Sequence, residues 1–173
     1  MARRGLRAGL AGIAALLVSA CLVSEAPLIL SGEGAAPLRA GDYEQYELED
    51  GDEPEFDGRA VVVIRDGDYL IAEDPDDEGS FMRLKQIRRG LYAAQVWEEG
   101  DDSYMYLAMR PQRGGVALFW FGDCTVLTDV ERSDLNLTMD DRECVLDSFS
   151  QLEAALEIVV ERSSPMLEWR RAD

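Results

Sequence analysis

Between Tyr43 and Phe121 the chain is divided into short apolar segments by glycine, proline and charge clusters that recur every 8 to 15 residues, too closely for helices to fit between them. The segments are Tyr43 to Leu48, Arg59 to Ile64, Asp68 to Ala72, Phe81 to Ile87, Leu91 to Trp97, Ser103 to Met109 and Val116 to Phe121. A parallel crossover needs a dozen or more residues, so connections this short predict antiparallel neighbours. In Tyr104 to Met109, one face carries Tyr104, Tyr106 and Ala108 and the other Met105, Leu107 and Met109. Both faces are apolar, which predicts a sheet covered on both sides, as a closed barrel or a two-layer sandwich. Part of the cover is a helix. Leu152, Ala155, Leu156, Val159 and Val160 recur at helical spacing, Ser148 with Gln151 forms a capping box, and Pro165 follows the end. The spacing predicts a helix from Phe149 to Arg162, and Leu167 with Trp169 can add a last short strand. The expected fold is mainly β: an antiparallel meander of about seven or eight strands, with one C-terminal amphipathic helix packed on it, in a single domain over residues 42–173.

Composition removes whole classes of chemistry. The 173 residues include 35 acids, 17 bases and no histidine. Without histidine there is no Ser-His or Cys-His nucleophile pair, and the commonest transition-metal ligand is missing. A net charge of −18 repels nucleic acid phosphates. The single lysine, Lys85, lies in a predicted strand with no Ser-x-x-Lys pattern around it. Carboxylates are too plentiful for one pair to stand out as an acid/base couple. The residues Asp134, Asn136 and Asp140 begin like a calcium loop, but Met139 occupies the position that needs glycine. The expectation is a non-enzymatic protein with no cofactor and no dedicated metal site, attracting calcium only weakly and non-specifically. The aromatic residues Trp97, Tyr104, Tyr106 and Phe119 to Phe121 read as core in preference to a ligand cavity.

The N-terminus reads as an export signal. Arg3, Arg4 and Arg7 precede an apolar stretch from Ala8 to Ala20, too short to span a bilayer. Val18-Ser19-Ala20-Cys21 then resembles the lipobox of bacterial lipoproteins. The resemblance implies cleavage before Cys21, acylation of that cysteine and anchorage in a membrane; Leu22 after it, in place of aspartate, is similar to lipoproteins sorted to the outer membrane of the cell envelope. Residues 1–20 are then a signal peptide and 21–41 a lipidated tether, with the alternative that Leu28-Ile29-Leu30 docks as an edge strand. Cleavage removes three arginines and no acid, leaving a formal charge of −21. In an exported protein, Cys124 and Cys144 are expected to form a disulfide.

Charge is sorted by connection. In a meander, odd-numbered connections lie at one end of the sheet and even-numbered ones at the other. The odd ones, Glu49 to Asp57, Glu73 to Glu78 and Glu98 to Asp102, hold six, five and four acids and no base. The even ones, Arg65 to Gly67, Arg88 to Gly90 and Arg110 to Gly115, hold five arginines and one acid, Asp66. The candidate acidic rim is Asp50, Asp52, Glu53, Asp74, Asp76, Asp77, Glu98, Glu99, Asp101 and Asp102; the candidate membrane-facing basic end is Arg65, Arg88, Arg89, Arg110 and Arg113. A tether entering the first barrel strand at the arginine end would set those arginines against anionic lipid head groups. The expected function is a lipid-anchored envelope module that offers its acidic end to a basic protein, a cation or an envelope component. The architecture also resembles the lipocalins, whose glycine-x-tryptophan signature falls at Gly41-Asp42-Tyr43 with tyrosine in place of tryptophan. That resemblance implies the alternative function, a carrier of a small apolar ligand.

Overall fold

In the computed structural model, which describes residues 21–49, 52–74, 78–140 and 143–172, the meander closes on itself. In chain order the strands are β1 (Leu22–Ser24), β2 (Gly41–Glu47), β3 (Glu55–Arg65), β4 (Asp68–Ala72), β5 (Ser80–Arg88), β6 (Leu91–Glu98), β7 (Tyr104–Pro111), β8 (Val116–Phe121), β9 (Thr138–Asp140), β10 (Glu143–Val145) and β11 (Leu167–Arg171). Eight of them, β2 to β8 and β11, form a closed antiparallel barrel, so the sandwich alternative falls away. The eighth strand is the tail: β11 pairs with β8 through Trp169 and Ala117 and with β2 through Trp169 and Gln45. The closed eight-stranded form is compatible with a lipocalin-like barrel, although here the strand that seals it follows the helix. The seven expected strand segments are all present, with β3 beginning earlier, at Glu55.

Alternation assigns each side chain to a face. Leu107 and Met109 point inward with Phe119, Trp169, Tyr43, Val62, Tyr69, Met82 and Leu84, and these residues fill the barrel. Trp169 lies against Phe119, with ring centroids 4.8 Å apart, and against Tyr43 at 5.9 Å. Leu38 enters from one end, where its backbone N–H and carbonyl both bond to the Tyr69 hydroxyl, at 3.1 and 3.0 Å. Burial of that hydroxyl pushes its pKa up to about 12. The aromatic residues weighed as a possible cavity are therefore divided by the barrel wall: Phe119 points in, whereas Trp120 and Tyr106 point out. Trp97 lies outside, stacked on Phe81 and tilted against Tyr104.

The outward face of β6, β7 and β8 is covered by α2 (Phe149–Arg162), which has the expected bounds and the Ser148–Gln151 capping box. Its buried stripe, Leu152, Ala155, Leu156 and Val159, lies on Leu91, Ala93, Ala108 and Trp120. A short helix, α1 (Asp129–Asp134), and the β9–β10 hairpin precede it. Their tie to the barrel is the Cys124–Cys144 disulfide, with Cα atoms 5.8 Å apart. Glu131 joins the two helices, because its carboxylate accepts from Thr128 at the α1 N-terminus and from Arg162 at the end of α2. The Arg162 guanidinium, followed by the Thr128 donors, holds the Glu131 pKa down at about 2. A depressed carboxylate supplies its tie above the unfolded pKa and loses it as pH falls through the folded one. Carboxyl NMR should therefore show Glu131 still ionised at pH 3.5, with the α1–α2 contact released only near pH 2.

The rest of the cover comes from residues 22–38, which the sequence left between tether and docked segment. They dock, though without the edge strand that Leu28-Ile29-Leu30 suggested. β1 pairs antiparallel with β7 and parallel with β10. The chain then crosses the outer wall over one row of side chains, Tyr106, Gln95 and Arg83, which are register neighbours on β7, β6 and β5. The Tyr106 hydroxyl accepts from Leu28 N at 3.1 Å, Gln95 Oε1 accepts from Ile29 N at 2.9 Å, and Arg83 Nη1 donates to Ile29 O at 2.7 Å. Arg83 is 9% exposed and is neutralised by Asp68, with two bonds of 2.6 Å. Replacing the fully buried Gln95 by alanine leaves Ile29 N–H without its acceptor. Hydrogen exchange at residues 28–30 should then rise well above that of the barrel strands, while a Gln95→Glu variant keeps an acceptor there.

Candidate functional site

The barrel has two chemically distinct poles, and strand reversal creates them. Each hairpin returns the chain to the opposite end, so residues 48–49, 52–54, 73–74, 78–79 and 99–103 gather at one pole and 66–67, 89–90 and 112–115 at the other. At the first pole, Asp52, Glu53, Asp74, Glu98, Glu99, Asp101 and Asp102 are exposed; Asp50, Asp76 and Asp77 lie outside the described residues. Among the described residues no group of three or more carboxylates, cysteines or histidines is arranged to hold a metal ion. The acids form a rim of separate loops, and their separation along the strands from the other pole, roughly 25 Å for an eight-residue strand, exceeds the Debye length of about 8 Å at physiological salt.

At the second pole the single acid of the even connections has a conformational reason to be there. Asp66 and Gly67 form the two-residue β3–β4 turn with φ of 52° and 90°. Such a turn needs two left-handed residues, a conformation that aspartate tolerates better than most side chains. Arg65, Arg89 and Arg113 are exposed and make no ion pair among the described residues, whereas Arg88 reaches Glu157 of α2 at 3.6 Å and Arg110 lies over Trp120 at 5.2 Å. Two arginines that sequence reasoning passed over join them: Arg39, before β2, and Arg171, at the end of β11. The same parity rule, applied to the first and last barrel strands, would have found both. They line a cleft of about 490 Å³ with Tyr43, Gln112 and Gly115. Tyr43 donates its hydroxyl to Arg39 O at 2.9 Å and Arg171 N donates to Gly115 O at 3.1 Å, while the register pairing of Arg171 with Tyr43 joins the two sides.

Cys21, the candidate lipidation site, is 7% exposed and lies outside the barrel. Its carbonyl accepts from Cys144 N at 2.9 Å, and it bridges Asp123 just beyond the end of β8. That position is toward the acidic pole. The expectation that the acyl attachment sits beside the arginines followed from a tether leading straight into β2. The chain does enter β2 at the arginine pole, but residues 22–38 run back along the wall and leave Cys21 nearer the opposite one. The signal segment 1–20 lies outside the described residues.

No helix of the described residues is long and apolar enough to cross a membrane. Comparisons with family models, with curated protein sequences and with solved structures find no match to this chain. The functional reading therefore stands on the two poles.

Proposed function

We propose that this protein is a non-catalytic, lipid-anchored module of the cell envelope that binds a basic partner through its acidic pole. The observation that carries the reading is the convergence of three acidic connections on one end of a closed barrel, with the unpaired arginines kept at the other. Charge sorted in this way favours encounter with a positively charged surface and fixes its orientation. Cys21 is carried on the wall toward that same pole, so a partner would dock close to the membrane surface. An outer-membrane location follows from the lipobox resemblance and Leu22.

The test is a variant with Asp52, Glu53, Asp74, Glu98, Glu99, Asp101 and Asp102 changed to their amides. Relief of like-charge repulsion should leave its thermal midpoint unchanged or higher, while co-purification of basic envelope proteins at low salt disappears. Recovery equal to that of the parent protein would refute the reading. A Cys21→Ser variant should move from the membrane fraction to the soluble fraction of the envelope; equal retention would rule out the anchor. The second reading, a carrier of an apolar ligand, draws on the closed barrel, but it finds no support in a barrel filled by Leu38, Tyr43, Tyr69, Met82, Phe119 and Trp169.

A further inference from the structure

Ion pairing divides the described bases into two sets. Arg59, Arg83, Lys85, Arg88, Arg132, Arg162 and Arg170 each lie within 4.0 Å of a carboxylate. The others are Arg39, Arg65, Arg89, Arg110, Arg113 and Arg171, and every one of them is at the arginine pole. In a chain with 35 acids, six cations without a carboxylate on a single pole is not what indiscriminate surface pairing produces. Two acids at that pole are engaged or turned away. Asp68 is held by Arg83, and Asp42 is paired in register with Val61 on the outward face, away from the inward-pointing Tyr43; Asp66, in the β3–β4 turn, is exposed and lies within 4.0 Å of none of the six.

Two of the six, Arg39 and Arg171, both exposed, share the cleft, and two glycines lie against the second. A Cβ on Gly115 would lie 3.0 Å from Arg171 Cβ, and one on Gly41 would lie 3.5 Å from Arg171 Nε. Both glycines have positive φ, 78° and 139°, so the backbone itself selects against a side chain at either position. Arg171 therefore passes close over Gly115, where a Cβ would crowd it, and its guanidinium lies beside Gly41 at ordinary contact distance. A guanidinium fork pairs with two oxygens at once, and two forks sharing one cleft suit a tetrahedral oxyanion with oxygens to spare. The cleft volume is within the range of small-molecule sites and exceeds what a bare phosphate ion fills, leaving room for the group that carries it.

We propose that this cleft binds a phosphate ester, with Arg39 and Arg171 as its ligands. A soluble phosphorylated molecule and a phospholipid head group both present this ester, and the recognition chemistry is the same for both. The proposal is independent of the acidic-rim reading, since it concerns the opposite pole and none of the rim residues.

The experiment uses the full chain carrying Cys21→Ser, so that no acyl group contributes, and compares it with the same chain carrying R39Q and R171Q. Glycerol 3-phosphate is titrated at constant ionic strength, with chloride as the balancing anion, and followed by the arginine Nε–H and glycine amide resonances. The expected result is saturable shifts at Arg39, Arg171, Gly114 and Gly115, and at least a tenfold weaker affinity in the double variant with an unchanged thermal midpoint. A double variant carrying R65Q and R113Q should lose no more than threefold. Absence of saturation, or equal losses in the two double variants, overturns the proposal. In a second arm, both chains are floated with vesicles containing phosphatidylglycerol. Flotation that depends on Arg39 and Arg171 assigns a lipid head group; saturable binding of the soluble ester without such flotation assigns a free ligand.

Discussion

Truncating Trp169 to alanine is expected to lower the unfolding free energy by about 3–5 kcal/mol, the cost of emptying a large aromatic site that cannot fully collapse. Trp169 is 3% exposed at the centre of β11, the strand that closes the barrel, and it packs on Tyr43 of β2 and Phe119 of β8. Its loss removes contacts on both seams at once. A domain of this size is stable by only about 5–15 kcal/mol, so the urea midpoint should fall by about a fifth or more. Trp169→Phe should behave differently. The indole Nε1–H is buried without a hydrogen-bond partner among the described residues, and leaving such a donor unpaired costs about 1–3 kcal/mol. Phenylalanine removes that penalty along with some volume, so its net cost should be well under half that of alanine. Equal losses for the two variants would show that the indole donor is satisfied.

Reduction of the Cys124–Cys144 bond, or its replacement by two serines, is expected to cost about 3 kcal/mol, from the entropy of an unfolded chain freed of a 20-residue loop. The effect should be regional before it is global. Cys124 follows β8 directly, and Cys144 lies in β10, which pairs with Leu22 and Val23 of β1. Hydrogen exchange should therefore rise first over residues 122–146 and in β1, with the barrel strands still protected. A denaturation midpoint indifferent to reductant would mean that the bond does not stabilise the fold.

Much of this architecture was legible because it depends on local chemistry. The helix bounds follow from the spacing of Leu152 to Val159, with Ser148 before it, and the seven strands follow from alternation broken by turn residues. The sorting of acids from arginines follows from strand reversal alone. Non-local partners were not legible. Gln95 reads as an odd polar residue inside an apolar strand, and only the register that sets it between Arg83 and Tyr106 makes it a clamp for Ile29. The placement of Cys21 failed for the same reason: a segment rich in proline, glycine and serine reads as a tether until the polar row that binds it is assembled. Arg39 and Arg171 are 132 positions apart, and their shared cleft exists only once β11 has inserted beside β2.

By itself, the amino-acid sequence determined where strands turn, which face of each is apolar, which cysteines can pair, and at which pole each connection's charge falls. The strand, turn and charge properties depend on residues within about ten positions of one another, and the cysteine pairing, across 20 positions, follows from there being only two left after Cys21. The tertiary structure decided that the sheet closes through its tail, that residues 22–38 lie against the wall, and that two distant guanidinium groups meet in one cleft. Closure and docking depend on contacts between segments far apart in the chain, and no local periodicity encodes which of them come together.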